Sequence, residues 1–543
     1  MSSPSREAED PGVESRSPQA ANLRYPDDDL PEGSVVDGET LARDVEESFD
    51  FIIVGSGAAG AVAAHVLASA GHAVAIVEEG PWVKTREFGA DVQSAFQRLI
   101  RDSAMQAVEG RSFLPLLQGR CVGGSTVVNS AIAWRTPEDV LDDWAEHFGL
   151  GDTLTMRDLE PHFTVLERDL NVRAVADDAL GQNNGLFLEQ AKNAGYEAGR
   201  MRRYDAGCRG SGRCLSGCPS AAKRGMSVTY VPMALAAGAR IFTSCRVDQV
   251  LRARGRATGI VARSTSSDPW RATDRRVLLH ARKGVLLAAS TIQTPVILRR
   301  SGVRGAALGE HFQIHPGLAL AGKFDRPVRM NFGATQGAES IHFRRTHRFK
   351  LETISLPPEL VAARIPGAGQ ELTQRLADYG HLAVWAAQVR ARAEGTVRPA
   401  WGGGARVRLT LTEADVVATR AACATIARML FDAGAREVWP GIYGVPSILT
   451  SPDDVALIAD GPLDPRAYSY IATHLFGAAR MGPDARSSTV GLNFDVHGTE
   501  ALYVIDSSVF PTNLGVNPQH SIMAIARLAA TRIAEKAASE IAA

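Results

Sequence analysis

The chain has 543 residues, of which 45% are hydrophobic and 22% charged, with a formal net charge of -1. That length carries two or more domains with substantial cores, and the composition is that of an ordinary soluble globular protein. A near-neutral balance excludes a generic polyanion-binding surface, so no nucleic acid partner is expected; six cysteines in so long a chain exclude a secreted disulfide scaffold.

The opening "MSSPSREAEDPG" lacks a basic start followed by an apolar core, so no secretory or twin-arginine signal is read and the cytoplasm is the expected compartment, export with a partner subunit staying open. Residues 1–47, rich in Pro, Ser, Asp and Glu, read as a flexible tail. Phe51 to Val77 is apolar enough to raise a transmembrane suspicion, but His65, His72 and several glycines interrupt it, and no transmembrane segment is read.

The same stretch, "FDFIIVGSGAAGAVAAHVLASAGHAVAIVEEG", reads as a strand from Phe51 to Val54, a glycine turn, a helix from about Ala58 to Ala70 and a strand from Ala73 to Val77, in outline a right-handed βαβ unit. Gly55, Gly57 and Gly60 form G-x-G-x-x-G: the first for the tight turn, the second for close approach of a pyrophosphate, the third for helix–strand packing. The helix N-terminus then faces the phosphates. Glu78, 23 residues after Gly55, ends the second strand where a carboxylate accepts hydrogen bonds from ribose hydroxyls. An adenine dinucleotide, NAD or FAD, fits this unit.

Further along, "GRCVGGSTVVN" (Gly119 to Asn129) offers close backbone approach at Gly123 and Gly124, and both a donor and an acceptor at Asn129. "GCRGSGRCLSGCPSAAKRG" (207–225) puts Cys208, Cys214 and Cys218 within eleven residues. The interior, roughly residues 326–461, holds alternating segments such as "ARVRLTL" and an amphipathic helix from about Glu413 to Ala433, capped by Thr412 with Asp415 and stopped near Gly434; Cys423 on it reads as packing. "ALYVID" is a short buried strand that delivers Asp506 at its C-terminal end, where ligands sit in open α/β sheets.

"GRCVGGSTVVN", "AASTIQTPVILRRSGV", "LGEHFQIHPG", "THLFGAARMG" and "LYVIDSSVFPTNLGVNPQHSIMAIARLAA", in this order from about residue 49 to 540, resemble the glucose–methanol–choline (GMC) oxidoreductases. The resemblance implies an α/β fold: a Rossmann-like FAD-binding domain (48–160, 225–325 and 462–543) interleaved with an α+β substrate domain on an antiparallel sheet (161–224 and 326–461). It implies FAD as cofactor, Asp506 near its ribityl and phosphate part, and the strand "IFTSCRVDQV", with Cys245 and Val247, near its adenine. His474 of "THLFGAARMG" is implied as the catalytic base and Asn517 of "GVNPQH" as the group that orients the substrate hydroxyl, Pro518 fixing their turn; His520 ranks well below Asn517. Histidine suits the base because its pKa lies near neutrality. The reaction implied is hydride transfer from an alcohol CH–OH, lipophilic or cyclic, with oxygen, a quinone or a cytochrome as electron acceptor. Hydroxynitrile lyases belong to the same family, so a flavin-containing carbon–carbon lyase is the alternative.

For the three cysteines, C-x5-C-x3-C lacks a nearby fourth thiol but suits a [3Fe-4S] cluster, a spacing similar to that of the catalytic subunit of bacterial FAD-dependent glucose dehydrogenases. Zinc with a distant fourth ligand, a disulfide plus a free thiol, and plain thiols stay open beside it. Cys121 and Cys245 need no redox role.

Overall fold

A computed structural model describes residues 24–266, 273–401 and 404–542. The strand–helix–strand run is Val45–Val54, Ala58–Ser69 and Val74–Val77, with Phe51 to Val54 paired in parallel against Val74 to Val77. All eight of these paired residues are buried, as a central parallel strand covered on both faces must be. Arg240–Thr243 and then Val35–Asp37 extend the sheet on one side. Arg276–Leu287 extends it on the other and serves two neighbours: its first half runs antiparallel to Arg256–Ser264, and Val285 to Leu287 run parallel to Leu502–Val504. Cys245–Ala253 closes that edge. The last helix, Gln519–Ala542, packs on Ala58–Ser69, where Ala61, Ala63 and Ala64 leave no room for solvent.

The tail expected through residue 47 is corrected over its described part. Val35–Asp37 is a strand of the first sheet, and buried Asp27 accepts hydrogen bonds from the Thr85 amide (2.7 Å) and hydroxyl (3.1 Å). Its polar side chains are used in specific pairs, which composition alone does not report. Residues 1–23 lie outside the described part.

The second sheet is antiparallel, in the order Glu437–Trp439, Gln313–Lys323, Leu382–Val389, Phe349–Thr353, Ala338–Ser340, Ala198–Arg200, with Ile471–Phe476 paired to the first half of Gln313–Lys323. Two of its strands, Gln313–Lys323 and Ile471–Phe476, come from stretches assigned above to the FAD-binding domain (225–325 and 462–543), so those boundaries cut through this sheet. One face, with Leu318, Leu351, Trp385 and Ala387, packs on the helix Glu413–Asp432. That helix starts where expected: Thr412 and Asp415 cap each other, and Gly434 follows its end at φ +95°. Cys423 on it is buried core. The other face carries Gln388, Lys350 and Glu352. No helix among the described residues is long and apolar enough to cross a membrane.

Candidate active site

The glycine turn is built by close approach. Gly55 has φ +101°, and a Cβ there would lie 2.3 Å from the Ala288 carbonyl; a Cβ on Gly60 would lie 1.9 Å from the Gly55 carbonyl. Gly57 differs: a Cβ on it meets only Gly124 Cα, at 4.0 Å. The space before it is bounded by the Gly123–Gly124 turn, where both residues have positive φ. Gly57 caps the helix Ala58–Ser69 with no side-chain hydrogen bond, so the first helical amides face this space unpaired, the arrangement that receives a phosphate.

Glu78 ties the cradle together. Its carboxylate accepts from the Ser56 amide (3.0 Å), the Ser56 hydroxyl (2.7 Å) and the Gly80 amide (2.9 Å), and Ser56 Oγ accepts from the Gly123 amide (3.0 Å). Burial pushes the Glu78 carboxyl up against those donors. The strand carrying Val247 starts beside it, the Cys245 amide donating to the Glu78 carbonyl at 2.8 Å. Asp506, buried at the end of Leu502–Val504, accepts from the Ser290 amide (3.1 Å), Thr294 Oγ1 (2.5 Å) and the Ser508 amide (2.9 Å), and burial pushes its carboxyl up as well. Asn129 donates to Gln519 Oε1 (2.5 Å) and accepts from the Ala131 amide (2.9 Å). Gln519 follows Pro518, so the segment 119–129 is joined to the start of the last helix.

His474 and Asn517 meet through Gln388. Lys350, fully buried on Phe349–Thr353, is bracketed by Glu339 (2.5 Å) and Glu352 (3.3 Å) and donates to Asn517 Oδ1 at 2.7 Å. Burial pulls its pKa down, but the two carboxylates outweigh that and hold it above the ordinary lysine value, so it is a cation. An ammonium only donates, which identifies the Asn517 atom facing it as oxygen. Gln388, directly opposite Lys350 in the sheet, donates to the same oxygen from Nε2 (3.3 Å) and therefore presents Oε1 to His474 Nδ1, 2.9 Å away. His474 Nδ1 then carries the proton, and Nε2 carries the lone pair. Burial, with the Lys350 charge second, pushes this imidazole down to about 3, so it is neutral. His315, its cross-strand neighbour, stands edge-on at 88° with the two Nδ1 atoms 3.3 Å apart, its Nε2 lying between the Gly515 amide (2.9 Å) and Asn513 Oδ1 (3.2 Å).

The N-terminal model of the GMC oxidoreductases matches residues 49–317 and the C-terminal model residues 393–526. An uncharacterized GMC-type oxidoreductase of Mycobacterium tuberculosis is 37% identical over 495 residues, which are 90% of this chain and 76% of that protein. The chain belongs to the GMC oxidoreductase family. A long-chain-alcohol oxidase of Arabidopsis thaliana is 27% identical over 90% of this chain and 66% of its own. A formate oxidase variant of Aspergillus oryzae shares the fold, with a TM-score of 0.69 at 17% identity, covering 92% of this chain and 100% of that one.

In this GMC oxidoreductase Cys208, Cys214 and Cys218 line one small cavity, and each sulfur meets an N–H: Gly210 N at Cys208 (3.4 Å), Arg203 Nη2 at Cys214 (3.2 Å) and Lys223 N at Cys218 (3.4 Å). All three are free thiols, and among the described residues no three His, Cys, Asp or Glu side chains come together to hold a metal ion. The ligand set expected for a [3Fe-4S] cluster or zinc is thus not assembled, nor is a disulfide. The local interactions account for this. Burial raises the Cys214 thiol, but Arg203 and Lys223 outweigh it and hold its pKa below the ordinary thiol value, and the sulfur accepts from Arg203. Lys223, also buried, spends its three donors on the carbonyls of Val127 (2.5 Å), Asn129 (2.8 Å) and Cys214 (2.7 Å). The cysteine loop therefore braces the turn that faces the dinucleotide cradle. Burial pushes Cys121 and Cys423 up and Cys245 up to about 12, which leaves these thiols unreactive. His520 is buried against the rings of Phe163 and Tyr204, 3.4 Å from Glu167, in the packing beneath the last helix.

Lys350, Gln388, Glu339, Glu352 and His315 were not singled out by sequence reasoning. Two signals for them exist. Gln388 is the one polar residue of the apolar strand "LAVWAAQV", and Lys350 and Glu352 sit two apart in "FKLET", on one face of a strand whose other face is core.

Proposed function

We propose that this oxidoreductase oxidises the CH–OH group of a small-molecule alcohol, with FAD in the glycine cradle, His474 as base and Asn517 as orienting group. The observation that carries the reading is the relay Lys350–Asn517–Gln388–His474, which leaves an unprotonated Nε2 and an amide NH2 as the groups available to one hydroxyl. FAD, when bound, supplies the two-electron acceptor for the hydride that leaves the carbinol carbon.

His474 Nε2 takes the hydroxyl proton, and the Asn517 amide donates to the hydroxyl oxygen and holds it in register. Loss of proton and hydride together leaves an aldehyde or ketone. Gln388 keeps the His474 proton on Nδ1 throughout, so the base needs no change of tautomer before it acts. The open space at Gly57 and the unpaired helix amides support a pyrophosphate there, with Gly123, Gly124 and Asn129 on the facing segment. A long-chain-alcohol oxidase among the relatives supports an aliphatic alcohol as substrate and dioxygen as electron acceptor.

The test is incubation of the holoenzyme with primary and secondary alcohols of increasing chain length in air. Carbonyl product and hydrogen peroxide in equal amounts are expected. Absence of carbonyl product with the whole panel overturns the reading, and cleavage of a cyanohydrin with the flavin left oxidised replaces it by the lyase.

A further inference from the structure

The cavity of the cysteine loop holds two buried polar atoms that the fold leaves unused. Arg203 Nε donates to the Ser130 carbonyl (2.9 Å) and Nη2 to Cys214 Sγ (3.2 Å), but Nη1 finds no partner among the described residues. Asp205 Oδ1 accepts from the Cys208 amide (2.7 Å) and from Arg173 (3.2 Å), and its Oδ2 is likewise unmatched among the described residues. Both side chains are 2% exposed, and both line the cavity with the three cysteines. A buried donor and a buried acceptor left unpaired each cost free energy, so a small molecule that accepts from the one and donates to the other is favoured there. About 20 Å3 is open to the centre of a water-sized molecule, which admits water or hydrogen peroxide and excludes larger ligands. Exposed Arg209 and Ser220 on the lining place the cavity at the surface.

The sulfur beside these atoms is set apart from the other thiols. Asp205 is ion-paired with Arg173, while Cys214 Sγ is the group in hydrogen-bond contact with the Arg203 guanidinium that can carry a counter-charge. A guanidinium taken out of water needs such a partner. Burial raises the Cys214 thiol, but the Arg203 and Lys223 charges and the Thr335 hydroxyl outweigh it, whereas at Cys208 burial wins and the pKa is raised. The thiolate is the form of cysteine that attacks peroxide.

We infer that Cys214 is a peroxide-reactive thiol, oxidised by hydrogen peroxide held between Arg203 Nη1 and Asp205 Oδ2. The sulfur attacks one peroxide oxygen. An S–O bond forms, the O–O bond breaks, sulfur is oxidised by two electrons to the sulfenic acid, and the other oxygen leaves as hydroxide, which takes a proton from solvent to become water. Arg203 Nη1 supplies the N–H that the departing oxygen needs as its negative charge grows. Added thiol reverses the modification. The site does not rest on the alcohol-oxidation reading, because peroxide supplied from outside serves equally.

The test treats the flavin-loaded protein, without alcohol, with hydrogen peroxide for increasing times. Catalase ends the reaction, free thiols are blocked with N-ethylmaleimide in denaturant, and dithiothreitol followed by isotopically labelled N-ethylmaleimide marks each cysteine that had been oxidised, read by peptide mass spectrometry. Cys214 is expected to be oxidised at least about 10-fold faster than Cys121, Cys245 and Cys423, because more of it is thiolate. Cumene hydroperoxide, too large for the cavity, is expected to oxidise Cys214 at least about 10-fold more slowly than hydrogen peroxide. Cys208 and Cys218 are more exposed than Cys214, so exposure alone would have them oxidised first. In Cys214→Ser they are expected to be oxidised at least about 10-fold more slowly than Cys214 is in the wild type. Cys214 oxidised no faster than the three reference thiols overturns the proposal, as does oxidation of Cys208 or Cys218 in Cys214→Ser at the wild-type Cys214 rate. Equal rates with the two peroxides overturn the cavity as the site. A circular dichroism spectrum matching the wild type shows that Cys214→Ser has folded, and the wild-type comparisons decide without it.

Discussion

Replacing Lys350 by Met tests the buried relay at its origin. The methionine has nearly the length of the lysine stem, so packing is largely kept, but the ammonium is gone from between Glu339 (2.5 Å) and Glu352 (3.3 Å). Glu339 keeps the Trp134 indole N–H at 2.8 Å; Glu352 loses the cation beside it. Breaking a buried ion pair by removing one partner costs about 3–5 kcal/mol, because a charge is left in the interior without its counter-ion. At about 1.4 kcal/mol per tenfold, the unfolding constant rises by about a hundredfold to a few thousandfold. Urea unfolding of the holoenzyme followed by tryptophan fluorescence reads this directly. Combining Lys350→Met with Glu339→Gln and Glu352→Gln removes the uncompensated charges and is expected to restore most of the loss. A Lys350→Met penalty under about 1 kcal/mol, or a triple variant no more stable than the single one, refutes the claim that a charged lysine is held between two carboxylates.

Other substitutions and conditions probe the remaining parts. Gly57→Ala meets only Gly124 Cα at 4.0 Å and is expected to fold normally yet lose flavin, read as the flavin-to-protein absorbance ratio, whereas Gly60→Ala, with its Cβ 1.9 Å from the Gly55 carbonyl, loses stability itself. Asn517→Ala is expected to lower the rate of flavin reduction by about 10²-fold with flavin still bound, because the hydroxyl loses its orienting donor. His474 has a folded pKa of about 3 against an unfolded value near 6.5. The unfolded state therefore binds more protons between these values, and the stability His474 contributes above about pH 6.5 is lost as pH falls toward 3. By the same sign the base stays unprotonated, so kcat/KM for alcohol is expected to stay level from pH 8 down to about 5; an acid limb centred near 6.5 contradicts the neutral imidazole.

The parts legible in the sequence were those where backbone geometry demands particular residues. The Gly55–Gly57–Gly60 turn, the Thr412–Asp415 cap and the acidic ends at Glu78 and Asp506 depend on local spacing, and local spacing is what a sequence displays. His474 and Asn517 were reached only through family resemblance, since one histidine among 13 carries no mark of its role. The relay that sets the tautomer of His474 joins Lys350, Gln388 and Asn517 from three distant segments, and their meeting depends on the register that sets Lys350 opposite Gln388 and on the loop that delivers Asn517 before the last helix. The cysteines stayed open among cluster, zinc, disulfide and plain thiols for a related reason. A three-thiol spacing reports which ligands are available, while Arg203 and the backbone amides decide where each sulfur points.

The central claim is tested most directly by anaerobic stopped-flow mixing of the flavin-loaded protein and its His474→Ala variant with a primary alcohol, followed at the flavin absorbance maximum. The account predicts rapid bleaching in the wild type and none on that timescale in a variant that retains full flavin. Bleaching of the variant at the wild-type rate contradicts it and removes His474 from the reaction.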